Sequence, residues 1–222
     1  MAICIIMNRA IYKSLILLAC TMLIACQGGK GNAPSKEAEP KEIVKQKSTV
    51  REISLYLYDE FPAKKAQMLA DALKEAYPFV SIQKESLVLP KEYYNKERNR
   101  YSGTGLLKDL TRLREGNVVL GLTDEVIFKA NELSPTYGIF GVSPVGAYVA
   151  VISSTRPSGK QHCDDHLVKL MMHELGHSFG LNHCSNQHCF MVDAEHGNKF
   201  SQTPSFCNEC KAFLNSKGWD IK

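Results

Sequence analysis

Apolar residues beyond residue 50 follow two periods, one typical of β-strands and the other typical of α-helices. Residues 53–58 alternate apolar and part-polar side chains, and residues 118–122 form a short apolar run, as in a buried strand. The predicted segments are strands at 53–58, 80–88 and 118–122 and helices at 63–77, 105–114 and 164–179. This order of strands and helices predicts one α/β (α+β) domain over residues 51–222.

Residues 140–152 are rich in residues that favour strands, but Pro144 and Gly146 interrupt them. Proline cannot donate a hydrogen bond to a neighbouring strand, and within sheets it is largely confined to edges and bulges. We therefore expect this segment to form edge strands rather than central ones.

The N-terminus has the layout of an export signal. Arg9 and Lys13 precede residues 14–25, a stretch without charge. This stretch is too short to span a bilayer, because a transmembrane helix needs about 20 apolar residues. It runs into Leu-Ile-Ala-Cys at 23–26, which resembles the lipobox of bacterial lipoproteins. The resemblance implies cleavage before Cys26 and attachment of a diacylglyceryl group to its sulfur; an ordinary cleaved signal and an uncleaved anchor stay open as alternatives.

Residues 27–50 are rich in Gly, Lys, Glu, Ser and Pro and contain few large apolar side chains, which is typical of a flexible tether. We therefore expect a signal peptide at 1–25, a lipidated Cys26 with its tether at 26–50, and a folded domain at 51–222. The location implied is the bacterial cell envelope, with the domain held at a membrane and facing the periplasm or the exterior.

The net charge of +4 arises outside the predicted domain. Residues 51–222 contain twenty basic and twenty acidic side chains, so this part is formally neutral. A protein that binds nucleic acid normally needs several uncompensated cations to displace counterions. We therefore expect no nucleic-acid partner.

The strongest chemical signal is His173-Glu-Leu-Gly-His177, followed by Gly180 and His183, which matches the metzincin pattern HExxHxxGxxH. Side chains four residues apart share one face of a helix, so His173 and His177 can bind one zinc ion. Gly180 can leave the helix through a positive φ and return His183 to the same ion. Glu174 lies beside the site without being a ligand. Three protein ligands leave a fourth position open, as in catalytic zinc sites.

Four cysteines follow in two pairs, Cys184 with Cys189 and Cys207 with Cys210. Their spacing matches a closed structural zinc site, in which each short loop supplies two thiolates. Two disulfides are the alternative, because an exported protein meets oxidants. Zinc is favoured, since a two-residue gap is tight for a disulfide. The sequence thus predicts two zinc ions per chain, one catalytic and one structural.

The run from His173 to Met191, with the cysteine pair that follows, resembles the archaemetzincin (archaelysin) family of zinc-dependent peptidases. The resemblance implies a compact metzincin-like domain, in which a mixed twisted sheet packs on helices that include the active-site helix. It implies that Met191 forms the methionine turn beneath the metal, and that residues 140–156 supply the strand on the substrate side.

The resemblance implies a zinc metallopeptidase in which Glu174 takes a proton from a zinc-activated water and passes it to the leaving amine. A peptide or protein substrate would add as a strand near residues 146–152. We expect the protein to act as a monomer. A zinc-stabilised peptide-binding or regulatory lipoprotein with negligible turnover stays open as the alternative. His162 and His166 are expected to lie on the surface.

Overall fold

The structure, a computed structural model, describes residues 51–131, 134–193 and 203–222. Its helices are α1 (Ala63–Lys74), α2 (Gly103–Arg112), α3 (Asp164–Phe179) and α4 (Asn208–Asn215), with one 3₁₀ turn at Lys91–Tyr93. Its strands are β1 (Ile53–Leu57), β2 (Val80–Ile82), β3 (Tyr94–Asn95), β4 (Arg100–Ser102), β5 (Val118–Thr123), β6 (Ile127–Lys129), β7 (Tyr137–Ile139), β8 (Gly141–Val142) and β9 (Val149–Ser153). The predicted signal and tether lie outside the described residues.

The central sheet has five strands in the order β2-β1-β5-β9-β8. The first four strands run parallel to one another, whereas β8 pairs antiparallel with β9. The predicted strand at 80–88 is correct only at its start, because β2 ends at Ile82. Lys84, Glu85 and Ser86 follow as exposed residues, and such polar side chains are not buried in a sheet interior without partners.

Helices cover both faces of this sheet, and successive side chains of a strand point to opposite faces. Leu120 and Leu122 of β5 belong to the hydrophobic cluster that contains α1 and α3. Val119 of the same strand belongs to the cluster of Leu106 and Leu110 from α2. All six residues of β5 are therefore buried, which explains why this strand has a continuous apolar sequence rather than an alternating one.

The expectation that residues 140–152 form only edge strands is wrong for the second half of this segment. β9 lies between β5 and β8 and is buried at all five positions. Pro144 and Gly146 lie in the loop between β8 and β9, so they interrupt neither strand. The edge of the sheet on this side is β8, and a peptide cannot pair with β9 where the sheet already occupies both of its sides.

A second, four-stranded sheet has the order β3-β4-β6-β7, with β7 at one edge. Only Phe140 separates β7 from β8, so the edge strand of one sheet leads directly into the edge strand of the other. In the described parts of the chain, no helix combines the length and the apolar character needed to cross a bilayer.

Candidate metal centre

Helix α3 ends in a turn that carries the third predicted ligand back towards the first two. Gly180 has a φ of 117°, a left-handed conformation that glycine adopts readily because it has no Cβ. Its N–H donates to the carbonyl of His177, and the N–H of Leu181 donates to the carbonyl of Gly176. These two bonds satisfy the last carbonyls of the helix. The predicted reversal of the chain at Gly180 is confirmed.

The three histidines of the motif meet at one point. One imidazole nitrogen from each of His173, His177 and His183 lies within 4.8 Å of the other two, and the Nε2 atoms of His173 and His177 are 3.1 Å apart. Nδ1 of His173 lies 2.6 Å from the carbonyl oxygen of Phe190, and Nδ1 of His177 lies 2.7 Å from that of Leu181. A carbonyl oxygen can only accept, so each Nδ1 carries the proton and each Nε2 presents a lone pair.

This arrangement fits a tetrahedral metal ion. Two lone pairs that face each other at 3.1 Å repel unless a cation lies between them. Zinc binds histidine nitrogen at about 2.0–2.1 Å, which in a tetrahedral site separates two such nitrogens by about 3.4 Å. The spacing and the tautomers of these histidines therefore suit zinc. Glu174 is not part of the cluster, as expected for a residue that lies beside the ion rather than binding it.

Burial keeps the two helix histidines in the neutral form that binds metal. Burial, together with the neighbouring imidazoles, lowers the pKa of His173 to about 4, although the hydrogen bond to Phe190 opposes this shift. Burial also lowers the pKa of His177. His183 lies at the mouth of the site and is 43% exposed.

Sequence reasoning missed Asp193, which lies beside the third histidine. Its Oδ2 is 3.5 Å from Nδ1 of His183. Histidines that bind metal commonly donate their second ring N–H to a carboxylate or a carbonyl, which fixes the orientation of the ring. The available signal was an acidic residue two positions after Met191.

Glu174 is buried between α3 and the edge strand β8. A Cβ atom on Gly141 would lie only 2.8 Å from Oε1 of Glu174, so glycine is required where the backbone passes this carboxyl. The side chain is 6% exposed, and burial raises its pKa to about 8, although the positive charge of Lys129 opposes this shift. The carboxyl thus lies directly beside the strand edge and can exchange a proton with a group held there.

Met191 lies directly beneath the helix turn that carries the first two histidines. It is fully buried, and a Cβ atom on Gly176 would overlap its sulfur. Gly176 lies between His173 and His177 in the sequence, so the thioether packs against the base of the histidine cluster. The N–H of Cys184 donates to the carbonyl of Met191 at 2.7 Å, which ties this residue to the segment of the third histidine.

The four predicted cysteines form a second cluster. The sulfur atoms of Cys184, Cys189, Cys207 and Cys210 lie within 4.8 Å of one another, and those of Cys184 and Cys207 are 3.7 Å apart. A disulfide bond requires about 2.05 Å. Four sulfurs bound to one zinc ion at about 2.3 Å lie about 3.8 Å apart. The cluster therefore fits zinc, and none of the described cysteines forms a disulfide.

A cleft of about 580 Å³ runs between α3 and the segment of β7 and β8. Its volume lies in the range typical of sites that enclose part of a ligand. Its lining includes the three histidines, Glu174 and Asp193, together with Lys129, Tyr137, Phe140, Val142, Val145 and Leu170. The candidate catalytic groups thus open onto a space large enough for several residues of a peptide.

The expectation that His162 lies on the surface is wrong. Its side chain is 4% exposed and packs edge-on against Phe140, with 4.9 Å between the ring centroids. The N–H of His162 donates to the carbonyl of Ser154, which draws this segment in towards the sheet before α3 begins. Burial lowers the pKa of His162 to about 4. The prediction relied on the separation in sequence between His162 and the histidine motif, and this separation gives no information about the contact with Phe140.

Comparisons with known proteins agree with this geometry. Residues 67–216 match the sequence profile of peptidase family M54. An archaemetzincin from Methanopyrus kandleri is 32% identical over 137 residues, which cover 61% of this chain and 77% of the relative. An archaemetzincin from Aeropyrum pernix is 29% identical over 166 residues, which cover 69% of this chain and 88% of the relative.

Solved structures give the same result. The crystal structure of archaemetzincin from Archaeoglobus fulgidus, complexed with malonate, superposes with a TM-score of 0.59 at 25% identity, and the match covers 72% of this chain and 99% of that one. The crystal structure of archaemetzincin from Methanopyrus kandleri superposes with a TM-score of 0.59 at 26% identity, and the match covers 79% of this chain and 98% of that one. The family profile spans more than half of the chain. The chain therefore belongs to the archaemetzincin family, peptidase family M54, and is a zinc-dependent metallopeptidase.

Proposed function

We propose that His173, His177 and His183 bind the catalytic zinc ion and that Glu174 is the general base for hydrolysis of a peptide bond. The observation that carries this proposal is the pair of unprotonated Nε2 atoms 3.1 Å apart, each held in that tautomer by a backbone carbonyl. Zinc bound there would polarise the scissile carbonyl and lower the pKa of water.

The surroundings of Glu174 support its role in moving protons. Once ionised, a buried carboxylate is a stronger base than an ordinary glutamate, and the charge of a zinc ion bound beside it would favour the ionised form. Glu174 would take the proton of the attacking water and deliver it to the nitrogen of the departing amine. Its contact with Gly141 supports placing the scissile bond beside this glycine.

We propose that the substrate pairs with β8 rather than with residues 146–152. β8 is an edge strand and lines the cleft on the side opposite α3. Its backbone can bond an extended peptide through main-chain groups, which gives affinity that depends little on the substrate sequence. One chain brings the three histidines of the site together, which supports action as a monomer.

We propose that the cysteine cluster binds a second, structural zinc ion. The N–H groups of Met191 and Cys207 approach the sulfur of Cys189 at 3.4 and 3.3 Å, as expected for donors to a thiolate. Cys184 directly follows the third histidine. A second ion would therefore clamp His183 and Met191 to the C-terminal segment that contains α4.

Chelation tests the proposed activity. The purified full chain, incubated with a diverse peptide mixture, is expected to release new termini detectable by mass spectrometry. The cleavage should stop with a zinc chelator and return when zinc is added. Zinc-loaded protein that binds peptides but releases no fragments would instead identify the chain as a binding or regulatory protein.

We propose that residues 1–25 are a lipoprotein signal peptide and that lipidated Cys26, with its tether at 26–50, holds the domain at the bacterial cell envelope. The support is the Leu-Ile-Ala-Cys sequence after an uncharged stretch. The mature protein should begin at Cys26 and carry acyl mass, whereas the Cys26→Ser variant should lose this mass and leave the membrane fraction. A mature chain without acyl groups on Cys26 would contradict the anchor.

A further inference from the structure

The substrate cleft extends well beyond the metal centre. β8 is an edge of the central sheet and β7 is an edge of the second sheet, and residues 137–143, which contain both strands, line the cleft. An extended peptide therefore meets one nearly continuous edge. This edge adjoins Glu174 at Gly141. It begins at Tyr137, four residues earlier in the chain.

Lys129 supplies a positive charge on this earlier part of the cleft. Among the described residues that line the cleft, it is the one lysine or arginine. It pairs in antiparallel register with Tyr137, so the two side chains share a face of the β6–β7 ribbon. Lys129 is exposed and forms no salt bridge with residues in the described ranges. Its ammonium group is thus available to a ligand.

The direction of the peptide decides which of its ends meets Lys129. Antiparallel pairs outnumber parallel pairs about two- to threefold in sheets, and an antiparallel peptide on β8 runs opposite to the chain. Its residues after the scissile bond then lie beside those that precede Gly141. The four positions back to Tyr137 correspond to about 13 Å of extended strand. The C-terminal part of the substrate therefore runs towards Lys129.

We propose that Lys129 binds a carboxylate of the substrate, within about four residues of the scissile bond on its C-terminal side. This inference rests on the proposed function. The carboxylate can be the end of the peptide or an Asp or Glu side chain, since both offer the same oxygens to an ammonium group. The substrate class is thus a peptide with a negative charge shortly after the bond that is cut.

Two exposed apolar side chains in the cleft indicate which substrate side chains it favours. Tyr137, 45% exposed, lies on the Lys129 side of Gly141, and Val145, 51% exposed, lies on the other side. Large apolar residues left exposed within a cleft commonly mark a contact surface. Substrates with apolar side chains on both sides of the scissile bond complement these two residues.

Matched peptides test the proposal. One cleaved sequence is prepared with a free or an amidated C-terminus, and with Glu or Gln at the third position after the scissile bond. We expect the full chain to favour the carboxylate form of at least one pair by about two- to fivefold in kcat/KM, the effect of an ion pair with an exposed lysine. The pair that responds identifies a terminal or a side-chain carboxylate as the ligand.

Variants of Lys129 assign the preference to this residue. The measured quantity is the kcat/KM of the carboxylate peptide divided by that of its uncharged partner. Lys129→Met should reduce this ratio to about one, Lys129→Glu should invert it, and Lys129→Arg should largely keep it. Because Lys129 also affects the pKa of Glu174, absolute rates can change for every peptide. The ratio between paired peptides isolates carboxylate binding from this effect. Lys64→Met, at an exposed position on α1, is the matched control and should leave the ratio unchanged.

An unchanged ratio in Lys129→Met, or no preference within either pair in the original chain, would overturn the proposal. The same ratios are measured as affinities on the zinc-loaded Glu174→Gln variant, so the test does not require turnover. If the unsubstituted chain cleaves no peptide but the affinity ratio is present in the Glu174→Gln variant, the result counts against the peptidase mechanism and leaves carboxylate binding intact.

Discussion

Glu174→Gln is expected to lower kcat by about 10² to 10⁴-fold, the range for losing a positioned general base. The amide has nearly the same shape as the carboxyl but cannot accept the proton of the attacking water. Because Glu174 is not part of the histidine cluster, zinc content should not change. Steady-state kinetics on a cleaved peptide, with metal analysis of the same sample, provides both measurements.

Glu75→Gln is the control for this substitution, since Glu75 is exposed beyond α1. It should change neither kcat nor zinc content. A Glu174→Gln enzyme that keeps its full rate would show that another group moves the proton. A variant that loses zinc together with activity would instead show that Glu174 supports the metal site.

Cys189→Ser is expected to remove the second zinc ion, halving the zinc content of a chain that binds two. Cys189 is fully buried, and its sulfur accepts the N–H groups of Met191 and Cys207. Structural zinc contributes about 10–16 kcal/mol in small zinc-binding peptides, as much as the whole stability of a typical domain. Loss of the ion should therefore lower the free energy of unfolding by more than a point substitution usually does.

We expect the melting temperature to fall by about 10 °C or more, because a loss above about 4 kcal/mol is typical of a lost metal site and each kcal/mol shifts a chain of this size by about 2–4 °C. Peptide cleavage should also fall, since His183 and Met191 lie in the segment that the second ion would hold in place. Calorimetry measures the melting temperature, metal analysis measures the zinc content, and the peptide assay measures cleavage.

Cys163→Ser is the matched control, because Cys163 is an exposed cysteine outside the cluster. It should keep both zinc ions and the melting temperature. If the four cysteines formed two disulfides instead, the untreated chain would contain no zinc at this site. Its mass would then rise by about four hydrogens on reduction.

The histidine motif could be found in the sequence because helix geometry alone relates its members. His173 and His177 share a helix face wherever the helix lies in the fold, and Gly180 ends that helix through its own conformational freedom. The buried strand β5 could also be predicted, because a run of apolar residues with neighbours on both faces is recognisable in one segment.

The surroundings of the site were less predictable because they depend on pairing between distant segments. Nothing local distinguishes β9 from an edge strand, since its burial comes from β5 and β8 on either side. The burial of His162 similarly depends on its contact with Phe140, which lies 22 residues earlier in the chain. Asp193 follows a loop, and its distance from His183 is set by how the chain folds back after the cysteine cluster.

The sequence by itself determined the histidine motif, the neighbouring carboxyl of Glu174 and the helix that carries His173 and His177, because these relations extend over a few residues of regular geometry. Only the tertiary structure decided which backbone edge faces Glu174, and that Lys129 and Tyr137 extend the same cleft. The physical reason is that hydrogen bonds between strands join residues far apart in the chain. Their partners depend on the packing of the whole domain rather than on any local pattern.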